Sequence, residues 1–259
     1  MTEARPLRTV VVGASTGIGR CIGIGLAQRG ASVALLARRY ELLVDAAKEA
    51  GPGTLAIRCD VTDESSCREA VEEAAAGLGG IDAVLYSSGV GALRRIEDID
   101  RETWLRVFGT NVAGAAALTA AALHHLVESK GAIAYLSTVS ASLTPPWPGL
   151  AAYLVTKAAL DKLVEAWRAE HPNVGFTRVV VGDCAGGEGI AASQFAADWD
   201  QELAGELFPI WLSRGLLSGG LIEIDELIGV VDTVLRCGAS ASIPSVTVAP
   251  RPPVVHPPA

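Results

Sequence analysis

The alternation of short β-branched runs with longer Ala- and Leu-rich stretches constrains the fold of this chain more than any other feature. Seven runs have the composition of β-strands and lie at residues 8–13, 31–37, 54–59, 82–87, 131–137, 175–181 and 245–249. Segments of helical periodicity lie between the first six, at residues 17–29, 39–50, 63–77, 97–128 and 152–170, and a last one lies at 222–237. Parallel strands require a long crossover, usually a helix. The order therefore predicts an α/β fold, a single doubly wound parallel sheet of about seven strands with helices on both faces.

One segment interrupts this alternation of strands and helices. Residues 183–220 are rich in glycine and other small residues, and we interpret them as a substrate-loop insertion between the sixth strand and the last helix. Their aromatic side chains either close over an apolar substrate or pack as an ordinary amphipathic pair. The length of 259 residues fits one domain, expected at residues 1–249. Residues 250–259 form a Pro-rich tail, which can continue neither a helix nor a central strand.

Charge and composition exclude several classes of partner. The net charge of −8 makes a nucleic acid an unexpected partner. No apolar run as long as a bilayer is thick lacks glycine or charge, so we expect no transmembrane helix and no membrane partner. The N-terminal residues lack the pattern of a signal peptide. The five cysteines are odd in number and follow no metal-ligand spacing, which indicates free thiols in the cytoplasm and no metal site.

A glycine-rich turn, GASTGIG at residues 13–19, follows the first predicted strand and opens the first predicted helix. Glycine permits a sharp turn and a close approach of backbone to phosphate, and the helix N-terminus beyond it attracts an anion. Glycine also serves tight turns elsewhere, but this strand–turn–helix context is the one that a dinucleotide site requires. The candidate cofactor-binding residues here are Gly13, Ser15, Thr16, Gly17, Ile18 and Gly19.

The end of the second strand bears on the choice of cofactor. An acidic residue there would bind the adenosine ribose and repel a 2′-phosphate. This chain has Ala37 followed by Arg38 and Arg39. Because a guanidinium matches a phosphate in a bidentate geometry, we predict NADP(H) rather than NAD(H), with Arg38 favoured as the phosphate ligand. The alternative is that the arginines only begin the next helix.

Tyr153 and Lys157 are four residues apart in a segment that reads as helix, which places them one turn apart on one face. A free phenol has a pKa near 10, too high for a base at neutral pH. A nearby ammonium favours the phenolate and lowers that pKa. Tyr153 is therefore a candidate general acid and base, and Lys157 its partner.

Together these motifs resemble the short-chain dehydrogenase/reductase family. The resemblance rests on the spacing G-x-x-x-G-x-G, on CDV at residues 59–61, on Asn111 and on YLVTK at residues 153–157, and it covers about residues 8–182. It implies a Rossmann-type fold and a homodimer or homotetramer. It also implies hydride transfer between a nicotinamide and a small-molecule carbonyl or secondary alcohol, with Tyr153 as the general acid and base.

The resemblance also implies roles for single residues. The Asp60 carboxylate accepts the adenine amino group and Val61 packs nearby; alternatively, Asp60 only starts a turn, with Thr62 or Asp63 capping the next helix. Further implied roles are a water relay supported by Asn111, ribose hydroxyls held by Lys157, and cofactor contacts at Ser88 and Gly89.

The hydroxyl that polarises the substrate carbonyl has two candidates. Counting back from Tyr153 by the separation usual in the family points to Ser140. Counting along the fifth strand points to Thr138, which requires two extra residues in the Pro-rich loop that follows. Ser140 is slightly favoured.

Two segments depart from the family pattern. Residues 86–89 read YSSG where the family shows NNAG, and residues 181–184 read VGDC where the family shows Pro-Gly. These departures suggest an alternative function, a non-catalytic NADP(H)-binding sensor or scaffold protein. The retained Asn111, Tyr153 and Lys157 favour an enzyme.

Overall fold

A computed structural model describes residues 5–187, 193, 195–217, 220–237 and 240–251. In this part of the chain, seven strands form one parallel sheet in the order β3-β2-β1-β4-β5-β6-β7. The strands are β1 Arg8–Val12, β2 Ser32–Ala37, β3 Leu55–Arg58, β4 Ala83–Tyr86, β5 Ala132–Thr138, β6 Gly175–Val181 and β7 Ser245–Val248. The predicted doubly wound parallel sheet is confirmed. The strand order reverses between β1 and β4, and such a switch point is where open α/β sheets bind their ligands.

Helices cover both faces of this sheet. They are α1 Gly17–Gln28, α2 Tyr40–Ala50, α3 Glu64–Leu78, α4 Arg101–Phe108, α5 Gly114–Ser129, α6 Val139–Ser142, α7 Ala151–Glu170, α8 Gln201–Ser213 and α9 Ile224–Arg236. One hydrophobic core joins α3, α5 and α7 to the sheet, and another joins α1, α2 and α9 to its opposite face. Neighbouring strand residues such as Val10 and Val11 enter different cores, as the alternation of side chains along a strand requires.

The long helix predicted at residues 97–128 is interrupted. A 3₁₀ turn at Ile96–Asp98 precedes it, and a π-helical turn at Gly109–Ala113 joins α4 to α5. π-Helical turns are rare in proteins, and those that occur are often at functional sites. This one contains Asn111. The span Arg101–Ser129 is long and apolar enough to cross a membrane by length and composition, but 44% of its most apolar window is buried in the fold, as in a core helix.

Helix α8 lies inside the segment that we interpreted as a loop, and the sequence did not predict it. Leu203, Leu207 and Trp211 follow one another at four-residue spacing and pack into one apolar cluster. The helical pattern was obscured by Gly205 and by Pro209, which lies inside the helix. Tertiary packing outweighs the poor helix propensity of these two residues. Most of the predicted tail, residues 252–259, lies outside the described residues.

Candidate active site

A cavity of about 1010 Å³ opens at the carboxyl-terminal edge of the sheet, around the switch point between β1 and β4. The ends of β1 to β6 all contribute to its wall. Every candidate site residue of the sequence analysis lines this cavity except Asn111, which lies directly behind it. These lining residues are Gly13, Ser15, Thr16, Gly17, Ile18, Gly19, Arg38, Arg39, Asp60, Val61, Ser88, Gly89, Thr138, Ser140, Tyr153 and Lys157.

The turn between β1 and α1 can be formed only with glycine at its key positions. Gly13 has φ +86°, and a Cβ atom there would lie 2.6 Å from the Ser88 amide nitrogen. A Cβ atom on Gly19 would lie 2.5 Å from the Gly13 carbonyl oxygen. Real Cβ atoms do not approach backbone so closely, so any larger residue would push these segments apart. Glycine at these two positions therefore lets the turn pack closely against the segment after β4.

The N-terminus of α1 faces the cavity without a side-chain cap. Thr16 occupies the N-cap position, but its hydroxyl bonds no amide of the first turn, and that turn contains no acidic residue. Helix α3, by contrast, is capped by Asp63, which accepts hydrogen bonds from the Ser65 and Ser66 amides. Free first-turn amides and a positive dipole end are what a pyrophosphate requires. The cradle therefore fits the phosphates of a dinucleotide.

Three arginines surround the end of β2. Arg39 donates hydrogen bonds to the hydroxyls of Ser15 (2.9 Å) and Thr16 (2.7 Å), and burial together with the charge of Arg38 lowers its pKa. Arg38 is exposed and makes no hydrogen bond within the described part of the chain. Arg58, which pairs with Ala37 in the β2–β3 register, joins both in lining an adjacent hollow. Arg58 was not among the predicted site residues, although its position at the end of β3 was a signal.

Asp60 and Val61 follow β3 and support the neighbouring turn. One Asp60 carboxylate oxygen accepts hydrogen bonds from the Thr62 amide (3.0 Å) and hydroxyl (2.8 Å). Asp60 therefore stabilises a turn, as the alternative interpretation of this residue predicted. The residue that caps α3 is Asp63. Val61 packs against Gly114, where a Cβ atom would lie 2.9 Å from it. The second Asp60 oxygen leaves the adenine role open as a prediction.

Asn111 fixes the loop that follows β4. Its Nδ2 donates to the Val90 carbonyl (2.9 Å) and to the Thr156 hydroxyl (2.8 Å), and its Oδ1 accepts from the Val90 amide (2.8 Å). A Cβ atom on Gly89 would lie 3.5 Å from Lys157 Nζ and 3.7 Å from Asn111 Oδ1. The loop, the asparagine and the lysine thus meet at one point of the cavity.

The departures from the family pattern have structural roles. The fully buried Tyr86 donates its hydroxyl to the Thr110 carbonyl (2.6 Å) and so braces the π-helical turn beside Asn111. The Ser87 hydroxyl donates to the Val12 carbonyl (2.5 Å). Asp183 lines the cavity, and its carbonyl accepts the Ile222 amide (2.8 Å), which ties the end of β6 to the start of α9. These residues hold the walls of the cavity together.

Tyr153 and Lys157 lie one turn apart near the start of α7. Lys157 Nζ is 5.7 Å from the centroid of the Tyr153 ring and donates to the Leu136 carbonyl at 2.7 Å. Burial lowers the pKa of Lys157 to about 8, and the charge of Asp161 opposes this change. Burial raises the pKa of Tyr153. A lowered pKa was expected for Tyr153, and its direction is the opposite, because burial disfavours the phenolate.

The two candidate hydroxyls after β5 are hydrogen-bonded to each other. Thr138 ends β5 and is the N-cap of the short helix α6, and its Oγ1 lies 2.9 Å from Ser140 Oγ. Both line the cavity, so the choice between them stays a prediction that single variants can test. Ser137 also lines the cavity, but it is buried at 5% exposure.

Aromatic side chains close the cavity beside Tyr153. The Phe195 ring contacts the Tyr153 ring edge-on at 4.7 Å between centroids. Trp199 lies 5.5 Å from Phe195, and Trp211 lies 6.1 Å from Trp199. The Trp211 indole donates to the Pro148 carbonyl (3.0 Å), which anchors α8 to the loop before α7. The described aromatic residues of the segment 183–220 therefore form an apolar wall over Tyr153.

One group of metal-capable side chains occurs in the described part of the chain, and it lies outside the cavity. Glu72 of α3 has an oxygen 3.4 Å from His124 Nε2 and 3.2 Å from His125 Nε2. The side chains of Glu72 and His124 are 61% exposed, so no packing holds them in position.

The fold and the glycine turn define a doubly wound α/β protein with a ligand cavity at its switch point. The chain belongs to the short-chain dehydrogenase family, whose sequence model matches residues 8–195. A short chain dehydrogenase of Pseudocercospora fijiensis is 35% identical over 172 residues, which are 64% of this chain and 55% of that protein. The chain spans about half the length of the first curated relatives that it matches.

Two further comparisons extend over most of the chain. Gluconate 5-dehydrogenase of Gluconobacter oxydans is 28% identical over 228 residues, which are 86% of this chain and 84% of that enzyme. An alcohol dehydrogenase of Thermococcus sibiricus, solved with 5-hydroxy-NADP, matches with a TM-score of 0.76 at 22% identity. The match covers 93% of this chain and 94% of that one, and it indicates a shared fold.

Proposed function

We propose that this chain is an NADP(H)-dependent oxidoreductase that acts on a small-molecule carbonyl or secondary alcohol. The observation that carries the proposal is one cavity lined both by the glycine turn before α1 and by Tyr153 and Lys157. A cradle of this kind suits a dinucleotide, and a tyrosine–lysine pair suits proton transfer.

The residues around the cradle would hold the cofactor. The first-turn amides of α1 and the Thr16 hydroxyl would bind the pyrophosphate, and Arg38 is an exposed cation in the cavity wall that could bind the 2′-phosphate. Asp60 would lie near the adenine and Lys157 near the nicotinamide ribose, since both line the cavity. When bound, the nicotinamide supplies or accepts the hydride.

Tyr153 moves the proton. Burial raises the pKa of Tyr153 and so favours the phenol at neutral pH, the form that donates a proton to a carbonyl oxygen. The Lys157 ammonium stabilises the phenolate left behind. In the reverse direction this phenolate accepts the alcohol proton.

The remaining groups orient the substrate. Ser140 or Thr138 donates a hydrogen bond to the reacting oxygen, and their mutual bond at 2.9 Å lets either hydroxyl orient the other. The rings of Phe195 and Trp199 exclude water from the tyrosine and favour an apolar substrate body. We further expect a cytoplasmic homodimer or homotetramer.

The test combines binding with turnover. Fluorescence titration of NADPH and NADH gives the cofactor preference, and a panel of carbonyls and alcohols is then screened at the nicotinamide absorbance. We expect tighter NADPH binding and oxidation of NADPH by at least one carbonyl. Tighter NADH binding would contradict the assignment of Arg38.

The second candidate function is a non-catalytic NADP(H) sensor or scaffold. It is favoured by the Phe195 ring, which packs against the Tyr153 ring. NADPH binding without consumption across the panel, in the chain and in a Phe195→Ala variant alike, would favour this candidate. Turnover that appears on opening the wall would instead favour the enzyme.

A further inference from the structure

A third ionisable side chain continues the row of Tyr153 and Lys157 on α7. Asp161 lies one turn beyond Lys157, so the three residues share one face of the helix. Asp161 is 5% exposed, and neither carboxylate oxygen accepts a hydrogen bond from the described residues. A buried carboxylate in this condition keeps its charge only if positive groups lie close to it.

Positive groups face Asp161 from two elements. Lys157 lies on α7 itself, and Arg178 of β6 places its Nη1 atom 3.7 Å from Asp161 Oδ2. The same Arg178 nitrogen lies 3.4 Å from Glu165 Oε1, one turn farther along α7. The buried Ser137 hydroxyl of β5 lies beside the carboxylate, outside normal hydrogen-bond geometry. Charge therefore alternates from the cavity to the surface in the order lysine, aspartate, arginine, glutamate.

Lys157 is the member of this row that faces the cavity. Its side chain is 4% exposed, and the Leu136 carbonyl that accepts its hydrogen bond carries no net charge. Desolvation disfavours a buried ammonium and favours the neutral amine. The carboxylate that opposes this effect is Asp161.

We propose that Asp161 is a positioning residue that acts through Lys157, because its buried carboxylate keeps the lysine protonated beside the tyrosine. Protonated Lys157 can donate three hydrogen bonds and stabilise a phenolate, whereas the neutral amine stabilises it far less. The consequence for cofactor binding and turnover rests on the proposed function. The pairing of charges does not, and it can be measured in the ligand-free chain.

The lysine content of the chain makes a direct measurement practical. There are four lysines, Lys48, Lys130, Lys157 and Lys162, and Lys157 is the buried one. NMR of protein labelled with ¹³C-lysine follows each Cε resonance against pH, and Lys157→Arg assigns the buried one. We expect the Lys157 midpoint near pH 8 in the unaltered chain.

Asp161→Asn removes the charge and keeps the shape. We expect this variant to lower the Lys157 midpoint by about one pH unit, as the loss of a close opposite charge does. The matched control is Glu165→Gln, which removes the other carboxylate from Arg178 and should leave the midpoint unchanged. Asp161→Glu should retain most of the wild-type value. An unchanged midpoint in a folded Asp161→Asn protein would overturn the proposal.

If Asp161→Asn fails to fold, a second measurement on the unaltered protein still tests the proposal. In unaltered protein labelled with ¹³C-aspartate, the Asp161 carboxyl resonance should inflect at the Lys157 midpoint, and its absence there would also overturn the proposal. NADPH titrations across the same pH range separate the role of Asp161 from the proposed function. If the unaltered chain binds no NADPH, the proposed function fails, while the lysine midpoint still decides the role of Asp161.

Discussion

Replacement of Asn111 by alanine is the perturbation whose effect the structure defines most fully. The side chain makes three hydrogen bonds, two to the Val90 backbone and one to the Thr156 hydroxyl, at 2.8 to 2.9 Å. A hydrogen bond of this kind contributes about 0.5–1.5 kcal/mol, and buried partners left unpaired add to the loss. We therefore expect Asn111→Ala to lower the free energy of unfolding by about 2–4 kcal/mol.

For a chain of this size, each kcal/mol corresponds to roughly 2–4 °C in the melting temperature, so the expected fall is about 5–15 °C. Differential scanning calorimetry measures it. Thr156→Val is the coupled control, since it removes one of the three bonds but leaves the Val90 backbone paired.

The energies of the two variants should not add. Thr156→Val should destabilise the Asn111→Ala protein less than the unaltered chain, because their shared bond is already lost. A melting temperature unchanged by Asn111→Ala, or fully additive effects, would refute the assigned hydrogen-bond network. NADPH affinity should fall with the same variant, because the Val90 loop forms part of the cavity wall.

Three further predictions follow from the cavity. Arg38→Gln should weaken NADPH about tenfold or more and leave NADH unchanged, because a charged hydrogen bond contributes about 1.5–3 kcal/mol; equal losses in fluorescence titrations would contradict it. Gly13→Ala should lower the melting temperature and abolish cofactor binding, since its Cβ atom would lie 2.6 Å from the Ser88 amide nitrogen; normal binding would show that the turn can relax. The pKa of Lys157 falls from 10.5 to about 8 on folding, so the unfolded chain binds more protons between these values. The stability of the ligand-free chain relative to Lys157→Met should therefore rise with pH from about 8 to about 10.5 in urea titrations, and a fall over that range would show that the lysine pKa is not depressed.

The sheet and its glycine turn were predictable because their signals are local. Alternating strand and helix patterns predict parallel order through the need for crossovers, and residues 13–19 occur in the required strand–turn–helix context. The four-residue spacing that places Tyr153 and Lys157 on one helix face is also a local signal. Parallel strands end at one edge of the sheet, so the order of elements brings these motifs together.

What could not be predicted depends on contacts distant in sequence. The Phe195 ring lies over Tyr153 through packing of α8, a helix obscured by Gly205 and Pro209. The direction of the Tyr153 pKa depends on burial, which the four-residue spacing to Lys157 does not reveal. Arg58 had a local signal in its position at the end of β3, but only the β2–β3 register shows that it lies beside Ala37.

Counting back from Tyr153 and counting along the fifth strand select different candidate hydroxyls, because the two counts assign different lengths to the Pro-rich loop. They select residues on either side of a sharp strand-to-helix turn, where Thr138 and Ser140 lie within hydrogen-bond distance of each other. Asp161, by contrast, had a local signal, because it stands four residues after Lys157. Its importance became visible only with its burial beside Arg178.

The measurement that tests the central claim most directly is the rate of hydride transfer from NADPH in Tyr153→Phe, compared with the unaltered chain on the first carbonyl that supports turnover. Phenylalanine keeps the ring against Phe195 and removes only the hydroxyl that donates the proton. We expect the rate to fall by about 10²–10⁴-fold, as the loss of a general acid does, while NADPH affinity stays within about threefold. An unchanged rate with normal NADPH binding would contradict the assignment of Tyr153 as the general acid.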